Sequence, residues 1–201
     1  MQIFLETERM VLRRFVASDL GSLIELDSDP EVMRFINGGL ATPREVMQNK
    51  ILPTFLHSYE SVPGRGMFAA IRKADNMFLG WFGFRAKDSA HPDEVGLGYR
   101  LRRDAWGQGY ATEGARALIR KGFTELDVQR VFATTYEYNR ASRRVMEKAG
   151  LTFVRSYRLT AEDLQELDTA YHSETEEVWD GDDVEYALTK AEWEQTNPVS
   201  R

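Results

Sequence analysis

The 201-residue chain contains no cysteine, which excludes disulfides, thiolate-bound zinc and cysteine nucleophiles together. Histidine is scarce: His57, His91 and His172 lie far apart, and neither HExxH nor GxSxG accompanies them, so neither a zinc nor a serine hydrolase is indicated. No stretch approaches the roughly 18 apolar residues that cross a bilayer, and the opening MQIFLETERM lacks a basic segment followed by an apolar run. The expectation is a cytoplasmic protein with no membrane partner. Internal repeats, low-complexity tracts and linkers are lacking as well, so residues 1–201 read as a single domain.

What is present is ordinary globular composition, 42% hydrophobic and 29% charged. A net charge of −6 argues against a general nucleic-acid partner. The charge is uneven: residues 159–189 hold eleven acidic side chains and no Lys or Arg, leaving 26 basic against 21 acidic residues elsewhere.

Local patterns give the element order. TERMVLRRF has strand composition, Asp29-Pro30 opens a short helix that Asn37-Gly38-Gly39 stops, and Thr42-Pro43-Arg44-Glu45 reads as a capping box before a helix that Pro53 kinks or divides. MFAAIRK and MFLGWFGFRAK form a hairpin across the turn ADN, and EVGLGYRL is a further strand. An amphipathic helix after Gly109, the strand VQRVFATTYE, a helix capped by Asn139 and ended by Gly150, and the strands LTFVRSYRL and VEYALT complete the chain.

The stretch DAWGQGYATEG places Gly107 and Gly109 directly before a helix. Glycine lets an anion approach free backbone amides at a helix N-terminus, where the dipole favours negative charge. A plain tight turn is the commoner explanation of a lone GxG. The Rossmann pattern is broken by Thr112, and no GK[ST] follows for a P-loop. A nucleotide-dependent oxidoreductase is therefore the weakest of the alternatives.

GYRLRRDAWGQGYATEGARALI resembles the acetyl-CoA-binding motif of the GNAT N-acetyltransferase superfamily, RimJ/RimL-like branch, and NRASRRVMEKAGLTF resembles that branch's second signature. TERMVLRRF and VEYALTKAEW are similar to its opening and closing strands. The resemblance implies an α/β GNAT fold: a strongly twisted six- to seven-stranded mixed sheet with helices on both faces. It implies acetyl-CoA as co-substrate, no metal, and transfer of an acetyl group to a primary amine, either a protein N-terminus or a small molecule, with a non-catalytic acetyl-CoA sensor as the alternative. It puts the pyrophosphate on the amides of Trp106, Gly107, Gln108, Gly109, Tyr110 and Ala111, pantetheine in a slot beside the strand from Leu97 through Tyr99 to Leu101, and Asn139 and Ser142 against the pantetheine arm and the sulfur.

Three positions depart from the family pattern: Asp104 replaces Gln or Arg, with Arg102 and Arg103 to offset its charge; Gly96 replaces a frequent glutamate base; and Met146 replaces a tyrosine acid. The amine proton then goes to Glu94, two residues before Gly96 on the same strand face and about 6 to 7 Å away, acting through a water, or else Glu94 is an exposed strand-end residue and the amine arrives unprotonated; Ser142, or a water that it holds, protonates the thiolate. The acidic stretch either overhangs the acceptor groove and favours a cationic amine or is a solvated loop. Monomer and homodimer both stay open.

Overall fold

The computed structural model describes residues 2–60, 62–88, 90–160 and 181–197. Eight strands form one sheet: β1 (Ile3–Glu6), β2 (Met10–Arg14), β3 (Gly66–Arg72), β4 (Phe78–Ala86), β5 (Glu94–Leu101), β6 (Arg130–Tyr136), β7 (Thr152–Tyr157) and β8 (Asp183–Thr189). Their spatial order is β1-β2-β3-β4-β5-β6-β8-β7. Every neighbouring pair is antiparallel except β5 and β6. The strand count exceeds the expected six or seven because TERMVLRRF supplies only the second arm of an N-terminal hairpin, whose first arm is β1.

Period-2 alternation splits the sheet's side chains between two helical layers. On one face Leu12, Phe82, Phe84, Val95 and Leu97 pack against helix α5 (Tyr110–Glu125) through Leu118, Ile119 and Phe123, and against α6 (Arg140–Ala149). On the other, Met67, Ala69 and Trp81 meet α1 (Leu20–Ser28) and the helical stretch α3 (Arg44–Val46), a π-helical turn (Met47–Ile51) and α4 (Leu52–His57). Between α1 and α3 lies α2 (Pro30–Asn37), stopped at Gly38 in the left-handed region, φ 78°.

The capping box expected at Thr42 does not form. Its hydroxyl donates instead to Asp27, 3.1 Å away, which is fully buried and paired with Arg100 at 2.7 Å. A buried carboxylate needs every donor within reach, and that demand outweighs a local cap. Pro53, which has no N–H to give, follows the π-helical turn and leaves the chain helical on both sides. The caps of α6 form as read: Asn139 accepts from the Ser142 amide at 3.2 Å, and Gly150 has φ 100°.

Candidate active site

The single parallel pairing creates the site. β5 and β6 are in register only at Glu94 with Arg130, Val95 with Val131 and Gly96 with Phe132. Beyond Gly96, β5 keeps only β4 as partner, from Leu97 with Phe84 to Leu101 with Gly80, while β6 continues against β8. The β6-facing edge of β5 from Leu97 to Tyr99 is left without a strand partner among the described residues, the Leu101 carbonyl being taken by the Trp106 indole. An extended arm carrying amides complements such an edge as a further strand does. Helices α5 and α6 flank the opening on the core face, so a second reactant has access from the opposite face, on which Glu94, Gly96 and Gly98 lie.

At the far end of β5 stands the glycine loop. Gly107 and Gly109 both have left-handed backbones, φ 73° and 84°, and a Cβ on Gly107 would meet nothing within 4 Å. The amides of Gly107, Gln108 and Gly109 find no acceptor among the described residues, and the first-turn amides of α5 that follow have no intrahelical partner. Trp106 is the exception in the expected set. Its amide donates to the Arg103 carbonyl at 3.1 Å and its indole to the Leu101 carbonyl at 2.8 Å, because a 3-10 turn at Arg103–Ala105 absorbs that peptide. The free cradle therefore begins at Gly107. Leu97 and Tyr110 are 5% and 6% exposed, so at those positions only backbone is available to a ligand. Asp104 is paired with Arg102 at 3.3 Å, whereas Arg103 is engaged by Asp29 rather than by Asp104.

Between the loop and the point of splitting, Tyr99 crosses to α6. Its hydroxyl lies 3.0 Å from the Ser142 carbonyl and 3.1 Å from Ser142 Oγ. With the Tyr99 proton given to the carbonyl, the Oγ contact is one in which Ser142 donates to the Tyr99 oxygen, a bond its hydroxyl leaves by rotation when it serves a reacting group. Burial pushes the Tyr99 hydroxyl up to about 12, against a smaller lowering by its bond to Ser142. Because the folded value exceeds the unfolded one, its contribution to stability is complete below about pH 10 and is lost as pH rises through 12, about 3 kcal/mol in all for two units. The difference in urea midpoints between wild type and Tyr99→Phe, followed from pH 8 to 12, is expected to shrink over that window. A constant difference would contradict the burial argument.

Glu94 sits at the closed end, five residues or about 16 Å along the strand from Tyr99, and on the opposite face. Its Oε2 is held by Lys87 at 3.4 Å and Arg130 at 3.1 Å, while Oε1 has no hydrogen-bond partner among the described residues. Arg130 also reaches Glu185 on β8, which Arg155 grips from β7 at 2.9 Å. Burial alone would raise the Glu185 carboxyl; the two guanidiniums outweigh it and hold the group below its usual range. Met146 is 2% exposed in the core and offers no proton donor. Of the acidic stretch, Glu185 and Asp182 are already ion-paired, Asp182 with Arg158 at 3.2 Å; Glu174, Glu176 and Glu177 lie outside the described residues. Among the described residues no group of acids and histidines is arranged for a metal, and no helix is long and apolar enough to cross a membrane.

The family model for the acetyltransferase (GNAT) domain matches residues 9–152. The chain belongs to the GNAT acetyltransferase family. It is similar to FsC-acetyl coenzyme A-N(2)-transacetylase of Aspergillus fumigatus, 32% identical over 177 residues, which cover 85% of this chain and 69% of that protein. An uncharacterized N-acetyltransferase of Bacillus licheniformis is 31% identical over 143 residues, 71% of this chain and 78% of the relative. Among solved structures, a GNAT-family acetyltransferase from Bacillus anthracis superposes with a TM-score of 0.75 at 24% identity, covering 93% and 98% of the two chains. RimL, a ribosomal alpha-N-protein acetyltransferase in complex with coenzyme A, superposes with 0.71 at 17% identity, covering 94% and 98%. The GNAT chain described here is an acetyltransferase, and its family uses acetyl-CoA.

One site residue escaped sequence reading. Arg9 lies in TERM, 99 positions before the Gln108 carbonyl that it reaches at 2.9 Å. An arginine at the end of an exposed hairpin carries no local signal of that contact.

Proposed function

We propose that this chain, as a single acetyltransferase domain over residues 1–201, moves the acetyl group of acetyl-CoA directly to a primary amine in a ternary complex. The observation that carries the reading is the opening of β5 from β6 beyond Gly96, lined by Tyr99 and Ser142 and ended by the free amides of Gly107, Gln108 and Gly109. The loop and the N-terminus of α5 hold the pyrophosphate. The unpaired edge of β5, together with Asn139, orients the pantetheine arm, and amides near Leu97 to Tyr99 face the developing oxyanion.

The amine attacks from the opposite face, the C–N bond forms as the C–S bond breaks, and one proton leaves nitrogen while another reaches sulfur. Ser142 hands a proton to the thiolate while taking one from a solvent water, so that no alkoxide is left. Glu94 takes the amine proton through a water on Oε1, the Gly96 position having no side chain to block it. The activities for which the Aspergillus relative and RimL are named support an amine acceptor, and leave a small molecule and a protein N-terminus as its two forms.

Release of free thiol from acetyl-CoA, measured against a panel of amines and N-terminal peptides, tests the reading; if no acceptor accelerates release while acetyl-CoA binds, direct transfer is wrong. Glu94→Gln is expected to lower turnover by roughly 100-fold with acetyl-CoA affinity intact. Normal turnover of that variant across the pH range would remove Glu94 from the mechanism.

A further inference from the structure

Arg9 stands at the turn between β1 and β2 and is fixed at both backbone ends: its amide donates to Glu113 Oε1 at 2.9 Å, and its carbonyl accepts from the Lys73 amide at 2.9 Å. From that base the guanidinium makes three contacts, each to a different part of the glycine loop and the first turn of α5. Nε donates to Glu113 Oε2 at 2.6 Å, Nη1 donates to the Gln108 carbonyl at 2.9 Å, and the group lies over the Tyr110 ring, 4.4 Å from its centroid. A Cβ on Gly109 would come within 3.5 Å of Nη2. Within the loop one side-chain bond, Gln108 Nε2 to the Asp104 carbonyl at 2.6 Å, is set against two left-handed glycines, the least restrained residues a chain can contain.

We propose that Arg9 is a positioning residue for the donor substrate: it braces the Gln108 peptide and the first turn of α5 so that the amides of Gly107 to Gly109 are set for the pyrophosphate before acetyl-CoA arrives. This rests on the acetyl-CoA reading above. A planar fork is required for the task, since one group must serve a carboxylate, a peptide carbonyl and an aromatic face at once. Glu113 is the partner that locks the fork. Burial would raise its carboxyl, and hydrogen bonds from Thr7 and from the Arg9 amide and side chain overcome that and hold it below the usual range. Preformed amides bind an anion more tightly than amides that must be ordered on binding.

The test compares acetyl-CoA with S-acetylpantetheine, which has the same thioester and arm but no pyrophosphate. Arg9→Met is expected to raise KM for acetyl-CoA about 10- to 30-fold at unchanged kcat, and to leave kcat/KM for S-acetylpantetheine as in wild type. Arg9→Lys, which keeps the charge and loses the fork, is expected to resemble Arg9→Met. The double variant Arg9→Met with Glu113→Gln is expected to be no worse than the single one, because both act through one brace. Equal losses with both donors would mean a general structural role and would overturn the proposal, as would wild-type behaviour of Arg9→Lys. If wild type uses the two donors equally well, the acetyl-CoA reading of the loop fails first, and the Arg9 proposal goes with it.

Discussion

Gly109→Asp is expected to weaken acetyl-CoA binding by at least about 100-fold, measured by calorimetry. Asp tolerates the left-handed backbone that Gly109 adopts at φ 84° better than most residues, so strain is the smaller part of the loss. The larger part is charge. A carboxylate at the N-cap of α5 would accept from the same first-turn amides that serve the pyrophosphate and would repel a second anion from them. It would also stand beside Nη2 of Arg9 and draw that guanidinium from Glu113 and the Gln108 carbonyl. Gly109→Asn has nearly the same shape without the charge, and a loss of about tenfold or less is expected from it. Equal affinities of the Asp variant and wild type would place the pyrophosphate somewhere else.

Gly114→Ala is expected to destabilise the fold by about 2 to 4 kcal/mol, read from urea denaturation. On an exposed helix the same change would be favourable by about 1 kcal/mol. Here a Cβ would lie 2.3, 2.7 and 2.8 Å from three atoms of the Phe82 ring, and Phe82 is fully buried beneath α5. The ring cannot swing clear, because it is enclosed in the core and its centroid lies 6.2 Å from that of Tyr99. Moving α5 away instead would carry the glycine loop with it, so acetyl-CoA affinity should fall together with stability. Phe82→Leu in the Gly114→Ala background is expected to recover part of the loss, since it removes the ring atoms that clash. A neutral or stabilising Gly114→Ala would mean that the helix is not seated on Phe82 as described. Gly122 repeats the arrangement one layer on: a Cβ there would lie 2.7 Å from the Phe84 ring.

Both variants turn on glycines, and the sequence distinguishes the two kinds unequally. The loop pair Gly107 and Gly109 was legible because its geometry is local: φ, free amides and a helix start all follow from a few consecutive residues. Asn139 with Gly150 and the hairpin around Asn76 were legible for the same reason. Gly114 and Gly122 look like helix-weakening residues in the sequence, and only the aromatic side chains of β4 beneath them give them a purpose.

Sequence alone determined the order of the strands from β2 onward, the glycine loop before a helix, and the absence of cysteine chemistry, since these depend on residue type and short spacing. Tertiary structure decided the rest. It withdrew the Trp106 amide from the cradle, took Thr42 from its cap to the buried Asp27, joined Tyr99 to Ser142 across 43 positions, and brought Arg9 under a loop 99 residues away. The Trp106 amide is claimed locally by a 3-10 turn, whereas the other three share one physical reason. A hydrogen-bonding group is claimed by the strongest partner that reaches it in the folded chain, and at Thr42 burial raises the weight of the distant partner. The split between β5 and β6 is likewise tertiary: β8 pairs with the other edge of β6 from Arg130 to Tyr136, while β5 stops pairing with β6 at Gly96 and keeps an open side, where the donor substrate is proposed to lie.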